Sequence, residues 1–558
     1  FRVRVGALLD QSLLEHYLEN DVHHEELLNI MDWIANFEPQ VNHAYHTLEK
    51  DLEAADIKLV NIKQLSKIEE NQLKRIWQSE VKPYVVGQIL RNDLPFPFLQ
   101  NGKLYVVVTL LSKQKKQRYG LVSLENLPSH FYFEVNGIQH VVSAVDLIEY
   151  HLSEIFSRFK IQEVVVVRVT RNADIDVEIS LMDDDVDFRG QLEKLVAERS
   201  TLGAVRLQLD RHVSQPLENY LLLKIECAKE LLVINEYKLD LRVGFELYDV
   251  LKKDFPSLVY PAQPSIQQFD FSVQRVMEAL KTRDTLIAYP YHSSNSFVQL
   301  LHEAANEPLV ESIRISLYRV ANPSRIISAL MFAAEKGKQV TVVLELRARF
   351  DEERNIENSK RLEEAGCHVI YGIPDYKVHA KVCVIQMKNN QYITYVATGN
   401  FNEKTQNQYT DLALITTELS VGEDSVEMFN SIERETLLKR TQSIWIAPLL
   451  FRNKLVEEID EEISFGEEGL IVMKMNSLND ELIMNKLIEA SQAGVKVQLL
   501  VRGICCLIPG IPGVSENITV KSIVGRYLEH SRIYKFGSVD RAKFFIGSGD
   551  LLHRNTQR

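Results

Sequence analysis

The chain has 558 residues, a length that allows three to four domains. Hydrophobic residues make up 45% and charged residues 25%, which is an ordinary globular composition, and no apolar run is long enough for a transmembrane helix. The net charge of −13 argues against a surface that coats polyanions in general, so an anionic ligand would be held by cations inside a cleft. The five cysteines have neither zinc-site nor disulfide-framework spacing, which favours a reducing cytoplasm.

The pattern of predicted elements changes three times along the chain. Residues 1–55 carry apolar residues at three- and four-residue spacing, which predicts helices. Residues 56–262 mix strands with helices and predict an α+β domain without a recognisable catalytic group. Strands and helices then alternate over residues 263–440 and again over 441–558, which predicts two α/β domains with active residues at strand ends. Because the chain has no initial methionine and stops abruptly at Arg558, we expect a portion of a longer chain with a truncated last domain.

The stretch from Tyr376 to Asp411 carries a dense set of reactive groups. In Val-His-Ala-Lys-Val, the alternation of apolar residues predicts a strand that points His379 and Lys381 to the same side. A second apolar strand, residues 392–397, leads to Thr398-Gly399-Asn400. A nucleophilic nitrogen, a cation, a hydroxyl and an amide are groups that phosphoryl transfer needs. On its own, however, His379 is better explained as a structural histidine near a turn.

A second copy of this pattern strengthens the functional interpretation. His530-Ser-Arg532 is followed by Gly547-Ser-Gly-Asp550, and the histidine precedes the final Asn or Asp by 21 residues in the first copy and by 20 in the second. Upstream, residues 333–346 are echoed by residues 490–501, each with a helix end, a glycine and a buried strand. The sequence therefore predicts an internal duplication.

These paired elements resemble the His-x-Lys and Gly-Ser-x-Asn elements of the phospholipase D superfamily, which meet in one site. Both copies depart from that pattern, because Gln386 and Gly537 stand at the positions of the expected aspartates and Arg532 replaces a lysine. A closer resemblance is to the long-chain bacterial polyphosphate kinase family. The segments that carry it are SLYRVANPSRI, VTVVLELRARFDEERNI, KVHAKV, TGNFNEKT with the following Tyr-Thr-Asp, LLVRGICCLIPGIPGVSENI and SIVGRYLEHSRIY. This resemblance is dense from Tyr289 to Asn555 and weaker but continuous before it.

The second resemblance implies a domain organisation and a set of partners. Residues 1–55 would be the C-terminal part of an N-terminal helical domain, and residues 56–262 an α+β head domain implicated in dimerisation. Residues 263–440 and 441–558 would be two duplicated phospholipase D-like catalytic domains. The implied partners are ATP or ADP and inorganic polyphosphate, with Mg²⁺ as cofactor and without nucleic acid. The resemblance also implies a cytoplasmic homodimer or homotetramer, and it leaves peripheral association with the inner membrane face open.

The same resemblance assigns roles to individual residues. His379 would be the nucleophile that becomes a phosphohistidine, and Lys381 would lie beside it. The implied ATP contacts are Tyr409, Arg502 and His530, and the implied phosphate contacts are Arg319, Arg349 and Asn400. From spacing alone, Arg319 and Arg349 fit a loop salt bridge equally well, and Tyr409 fits a surface position in a polar segment between strands. The family places the two arginines at the Mg-phosphate site, and because a guanidinium cannot ligate Mg²⁺, we expect them to bind the phosphates that the ion bridges.

The implied reaction is a reversible transfer in two steps. His379 attacks the γ-phosphate of Mg-ATP, and the end of a polyphosphate chain then takes the phosphoryl group. His530 would either protonate the leaving group or donate a hydrogen bond to a phosphate. A phospholipase D-like phosphodiesterase or nuclease would use the same histidines with water as acceptor, and an inactive polyphosphate-binding scaffold is the non-enzyme alternative. A P-loop kinase is excluded because no G-x-x-x-x-G-K-[ST] motif occurs.

Overall fold

The structure of the protein is a computed structural model. It describes residues 1–15, 22–91, 94–172, 190, 202–235, 239–241, 243–261, 263–267, 275–346, 352–373 and 376–556. These residues form two compact units, of which the first comprises residues 1–172 and 202–259 and the second begins at Tyr260.

The first unit begins with the predicted helical region and continues with a mixture of strands and helices. Its helices are α1 (Arg2–Glu15), α2 (Val22–Ala54), α3 (Lys67–Ile76), α4 (Ala144–Ile155), α5 (Gln215–Ile225) and α6 (Val243–Leu251). Its strands are β1 (Ile57–Leu59), β2 (Gly87–Leu90), β3 (Leu104–Leu111), β4 (Gln117–Ser123), β5 (His130–Val135), β6 (Ile138–Ser143), β7 (Lys160–Arg171), β8 (Ala204–Leu209) and β9 (Leu232–Ile234).

A six-stranded sheet with the order β2-β4-β3-β7-β8-β9 forms the centre of the first unit, and β1-β6-β5 form a smaller sheet. Strand β3 is apolar at nearly every position because both faces of the large sheet are covered. Val107 packs in the core that contains Leu8 of α1, whereas Val106 packs in the core that contains Trp77. Alternate residues of one strand thus serve two cores, as the two-residue period of a strand requires.

The second unit contains the stretches with the predicted reactive groups. Its helices are α7 (Val276–Leu280), α8 (Asn295–Asn306), α9 (Arg325–Glu335), α10 (Glu352–Glu364), α11 (Leu419–Glu433), α12 (Phe451–Ser464), α13 (Glu481–Gln492) and α14 (His553–Thr556). Its strands are β10 (Thr285–Tyr289), β11 (Val310–Leu317), β12 (Gln339–Leu344), β13 (His368–Ile370), β14 (Val382–Met387), β15 (Tyr392–Ala397), β16 (Tyr409–Thr416), β17 (Leu470–Met475), β18 (Lys496–Val501), β19 (Ile518–Lys521), β20 (Leu528–Glu529), β21 (Arg532–Phe536) and β22 (Lys543–Gly547). In the part of the chain that the structure describes, no helix is both long and apolar enough to span a membrane.

The sheet order of the second unit repeats itself. The first half contains β13-β12-β11-β14-β15 within a larger sheet, and the second half contains β19-β18-β17-β21-β22. In both halves three parallel strands are followed by two strands that alternate in direction. The helices before β12 and β18 are each followed by a glycine with positive φ, Gly337 at 81° and Gly494 at 93°. This repetition confirms the predicted internal duplication and the mixed α/β character of the two halves.

The predicted strand through His379 is wrong, because β14 begins only at Val382. The hydroxyl of Ser316 donates to the carbonyl oxygen of Ala380 (2.8 Å) and accepts from the amide of Val382 (3.1 Å). These side-chain bonds occupy backbone groups that a strand ladder would use, so His379 lies in the segment that leads into the strand. The second copy is similar, since β21 begins two residues after His530.

Candidate active site

The two halves of the second unit are joined where β16 pairs with β20. Tyr409 lies opposite Leu528 and Thr410 opposite Glu529 in a short parallel pairing. The hydroxyl of Thr410 donates to the carboxylate of Glu529 (2.9 Å) and fixes this register. Tyr409 therefore begins a strand, which corrects the prediction that it lies in a polar segment between strands. Its ring centroid is 5.2 Å from that of His530, so the structure brings these two predicted ATP contacts together.

His530 of the second half is bound by a carboxylate of the first half. Its Nδ1 lies 2.9 Å from both carboxylate oxygens of Asp411, which is 4% exposed. The hydroxyl of Thr398 also donates to Asp411 (2.6 Å). Because an ionised carboxylate only accepts hydrogen bonds, it selects the tautomer of His530 with the proton on Nδ1. The sequence analysis assigned no role to Asp411, although its position two residues after Tyr409 in a strand puts both on one face.

A buried ion pair holds the second His-x-cation element in place. The Nη2 of Arg532 donates to Asp550 (2.8 Å), and its Nη1 donates to the carbonyl oxygens of His530 (2.9 Å) and Thr398 (3.2 Å). Burial raises the pKa of Asp550, but Arg532 and the hydrogen bonds of Asn476 outweigh it, so the net pKa lies below its ordinary value. Arg532 thus connects both halves of the site through two of its nitrogens. A lysine has a single side-chain nitrogen and would reach fewer of these acceptors at once.

The predicted ATP contact Arg502 adjoins this network. It follows the last residue of β18, as predicted, and its Nε donates to the side-chain oxygen of Asn476 (2.9 Å). The amide nitrogen of Asn476 in turn lies within 3.2 Å of Asp550. Asn476 was not predicted, and its only signal in the sequence is its position directly after β17.

His379 and Lys381 lie beside an aromatic ring that the sequence analysis did not single out. The ring of His379 is nearly perpendicular to that of Tyr318 (79°), with the centroids 5.1 Å apart. The side-chain nitrogen of Lys381, a residue only 2% exposed, donates to the carbonyl oxygen of His379 (2.5 Å), and burial and the charge of Arg532 lower the pKa of Lys381 below its ordinary value. Its nitrogen also lies 5.2 Å from the centre of the Tyr318 ring.

The surroundings of the His379 imidazole favour its neutral form. Burial lowers its pKa well below the ordinary value, and the positive charges of Lys381, Arg532 and Lys377 lower that pKa further. Burial also lowers the pKa of His530, although Asp411 opposes this shift. A neutral imidazole has a free electron pair, so His379 is in the state that a nucleophile requires.

The structure describes two of the three predicted phosphate contacts, Arg319 and Asn400. Arg319 follows β11 and its guanidinium lies 5.5 Å from the centre of the Tyr318 ring. The side-chain oxygen of Asn400 is buried and has no hydrogen-bond partner among the described residues, so it is open to a ligand. Arg349 lies outside the described residues. The structure thus brings His379, Lys381 and Arg319 together around Tyr318, and His530, Tyr409 and Arg502 around Asp411 and Asn476.

The side chains of the site fit Mg²⁺ only if the ion is itself bound to phosphate. In the described ranges, no three His, Cys, Asp or Glu side chains are grouped so that they could hold a metal ion. Arg319, Lys381 and Arg532 have basic side chains, a type that suits phosphate oxygens and does not ligate a metal cation. The residues present therefore fit an ion that enters with the phosphates of its nucleotide, as Mg²⁺ commonly does in ATP-dependent enzymes. The Mg²⁺ cofactor stays a prediction.

Gly399 offers a test of the network that needs no change to a reactive side chain. A Cβ atom at this position would lie 2.1 Å from the carboxylate of Asp411. Gly399→Ala should therefore displace that carboxylate and lower the turnover number by about 10- to 100-fold, because small displacements of this size disturb catalytic geometry. Steady-state kinetics of the folded variant measures the effect. Gly547→Ala is the matched control, since a Cβ there meets nothing within 4 Å. The first copy of the motif also has an alanine, Ala397, at the equivalent position. Equal losses of turnover in both variants would contradict displacement of Asp411 as the cause.

Comparisons with known proteins identify the family of this chain. Three family models match the chain: Polyphosphate kinase middle domain over residues 69–247, Polyphosphate kinase C-terminal domain 1 over residues 275–437 and Polyphosphate kinase C-terminal domain 2 over residues 444–558. The polyphosphate kinase of Staphylococcus epidermidis is 37% identical over 520 residues, covering 92% of this chain and 70% of that protein. The polyphosphate kinase of Staphylococcus haemolyticus is 35% identical over 568 residues, covering 100% and 78%.

A solved structure extends the similarity to three dimensions. The crystal structure of polyphosphate kinase from Porphyromonas gingivalis matches with a TM-score of 0.81 and 28% identity, covering 99% of this chain and 82% of that one. Sequence relatives, family models and a solved fold thus agree over most of the chain. The chain belongs to the polyphosphate kinase family.

Proposed function

We propose that the protein transfers the γ-phosphate of ATP reversibly to the end of an inorganic polyphosphate chain, with a phosphohistidine on His379 as intermediate. The observation that carries the proposal is the meeting of both duplicated histidines in one site. His530 is bound to Asp411 of the half that contains His379, and Arg532, two residues after His530, donates to the carbonyl oxygen of Thr398 in that half (3.2 Å). Family membership supports the substrate class, and this geometry supports the choice of residues.

In the first step, a ring nitrogen of neutral His379 attacks the γ-phosphorus of ATP. A phosphorus–nitrogen bond forms, the bond from the γ-phosphorus to the bridging oxygen breaks, and ADP leaves with the electron pair. Lys381 and Arg319 supply positive charge beside His379, and positioned charge accounts for most of the catalysis in phosphoryl transfer. Arg349 is expected to add to this charge. Mg²⁺ bound to the ATP phosphates would neutralise the same oxygens.

His530 would act on the phosphates only after they have bound. Without substrate its pKa lies below the ordinary value, and Asp411 accepts the Nδ1 proton. Two negatively charged phosphates beside the ring would raise that pKa and favour the protonated form. Protonated His530 can donate from Nε2 to a phosphate oxygen or to the departing ADP, while Asp411 still holds Nδ1.

In the second step, a terminal oxygen of polyphosphate attacks the phosphorus on His379. The phosphorus–nitrogen bond breaks, and the electron pair returns to the imidazole. The chain becomes one phosphate longer, and the neutral histidine is restored. Because each step is a transfer between similar phosphates, an excess of ADP should drive the sequence towards ATP.

Gamma-labelled ATP tests the proposal directly. Wild-type protein with Mg²⁺ should acquire an acid-labile, base-stable label that moves into long chains when polyphosphate is added and into ATP when ADP is added. The phospholipase D-like phosphodiesterase is tested in parallel with a simple phosphodiester. Hydrolysis of the diester, with no label on the protein, would overturn the proposal and favour that alternative; neither label nor hydrolysis would favour a binding scaffold.

The lowered pKa of His379 predicts an unusual pH dependence of labelling. The neutral ring is the reactive form, so activity is lost only when the pH falls below the lowered pKa. An ordinary histidine with a pKa of about 6.5 would be neutral in only about a quarter of molecules at pH 6. We therefore expect the rate of labelling at saturating Mg-ATP, measured by rapid quench, to change less than about twofold between pH 8 and 6. A fall of about fourfold centred near pH 6.5, with unchanged ATP affinity, would contradict the shift.

A further inference from the structure

Tyr318 lies at the centre of the groups that the proposed first step uses. It follows β11, and its carbonyl oxygen accepts a hydrogen bond from the side chain of Asn355 (2.8 Å). Asn355 is fully buried and also donates to the carbonyl oxygen of Glu345 (2.9 Å), which follows β12. The backbone of Tyr318 is thus fixed to the ends of two neighbouring strands. This anchor gives the ring a defined position from which it can orient other side chains.

Four functional groups surround the Tyr318 ring. His379 makes the near-perpendicular ring contact at 5.1 Å. The side-chain nitrogens of Lys377 and Lys381 lie 5.0 and 5.2 Å from the ring centre, and the guanidinium carbon of Arg319 lies 5.5 Å from it. All three cations are within the distance of about 6 Å at which a ring attracts positive charge.

The chemistry of an aromatic ring suits this position. Three cations near one another repel, and the negatively polarised faces of the ring offset part of that repulsion without binding any of them permanently. A carboxylate there would neutralise the cations and compete with the phosphate. Among the described residues, no side chain forms a hydrogen bond with the His379 ring. The perpendicular contact with Tyr318 is therefore left to limit rotation of the imidazole.

We propose that Tyr318 is a positioning residue for phosphorylation of His379: its ring orients the imidazole and keeps Lys377, Lys381 and Arg319 beside the place where the γ-phosphate arrives. This inference rests on the proposed nucleophilic role of His379. All four contacts use the ring and none uses the hydroxyl. The positioning role is therefore a property of the aromatic ring.

The first test compares an aliphatic with an aromatic replacement in the full chain. Tyr318→Leu should lower the rate of His379 labelling at saturating Mg-ATP by about 10- to 100-fold, with the KM for ATP changed less than about threefold. Tyr318→Phe should restore most of the lost rate. Tyr119→Leu, in the first unit, is the control for loss of a tyrosine that stacks on another ring. If Tyr318→Leu labels at the wild-type rate, or if Tyr318→Phe is as slow as Tyr318→Leu, the inference is wrong.

A second test keeps the shape of the side chain and therefore the fold. Phenylalanines with one, two and three fluorines at position 318 weaken the negative faces of the ring stepwise. The labelling rate should fall with each fluorine, up to about tenfold, whereas a ring that only fills space would give equal rates and would overturn the inference. The measurement on wild-type protein distinguishes a failure of the proposed function from a failure of the proposed role of Tyr318. If wild-type protein acquires no label, the proposed function fails; if it does and the fluorinated series is flat, only the role of Tyr318 fails.

Discussion

His379→Ala is expected to abolish the acid-labile label from ATP and to lower polyphosphate synthesis by at least about 10⁴-fold, as removal of a covalent nucleophile typically does. The neutral imidazole is the group on which the proposed intermediate forms. The arginines and Lys381 would remain, so the variant should still bind Mg-ATP with an affinity within a few-fold of wild type. Filter binding of gamma-labelled ATP before and after base treatment measures the label, and equilibrium dialysis measures the affinity.

His368→Ala is the matched control for this loss. His368 belongs to the same half, is exposed, and its Nε2 lies 3.1 Å from the carboxylate of Glu433 on the surface. Its removal should leave both label and synthesis unchanged, since an exposed ion pair contributes little to stability. A His379→Ala protein that still forms a base-stable phosphoprotein would show that the phosphoryl group is carried by another residue.

Asp411→Asn should lower the turnover number by about 10²- to 10⁴-fold while the protein remains folded. An asparagine can present its amide group to Nδ1 of His530 and so favour the tautomer with the proton on Nε2. In the serine protease triad, a comparable change from aspartate to asparagine costs about 10⁴-fold. The loss should appear in the rate of labelling and in its chase by ADP, because under the proposed mechanism His530 contacts the same phosphates in both directions.

Asp424→Asn is the control for Asp411→Asn. It tests whether removal of any buried carboxylate lowers the turnover number in the same way. Asp424 is also buried and lies in the same half, but it accepts hydrogen bonds from the backbone amides of Gln442, Ser443 and Ile444 and from no histidine. Its variant should lose stability and keep its turnover number per folded molecule. If Asp411→Asn showed the same pattern, with normal turnover and lower stability, the contact with His530 would be structural.

Much of the fold could be predicted because its signals are local. The apolar runs at 104–111, 130–135 and 392–397 form strands with those bounds, since burial on a pleated surface requires this composition over this length. The duplication was also visible, because each half repeats a helix end, a glycine and a strand in the same order. The strand through His379 was predicted wrongly because of contacts that are not local. Side-chain bonds from Ser316 and Glu345, both distant in sequence, hold the backbone on either side of His379.

The residues of the candidate site also divide into those that the sequence predicted and those that it did not. The spacing of two repeated motifs pointed to His379 and His530, and the order of strands placed Arg319 and Arg502 at strand ends. Asp411, Asn476 and Tyr318 escaped prediction because their roles depend on neighbours far away in the chain. Asp411 contacts a histidine 119 residues later, and the short β16–β20 pairing brings the two residues together.

By itself, the sequence determined that the chain carries two similar α/β halves, each with a histidine and a basic residue two positions later, and that it resembles polyphosphate kinases. Hydrophobic period and motif spacing are properties of neighbouring residues, so they are visible without a structure. Only the tertiary structure decided which carboxylate binds His530, that burial among basic side chains lowers the pKa of His379, and that one tyrosine ring contacts His379 and three basic side chains. These properties depend on distances between residues that the chain separates and the fold brings together, and both hydrogen bonding and the cost of charge in a buried site are set by such distances.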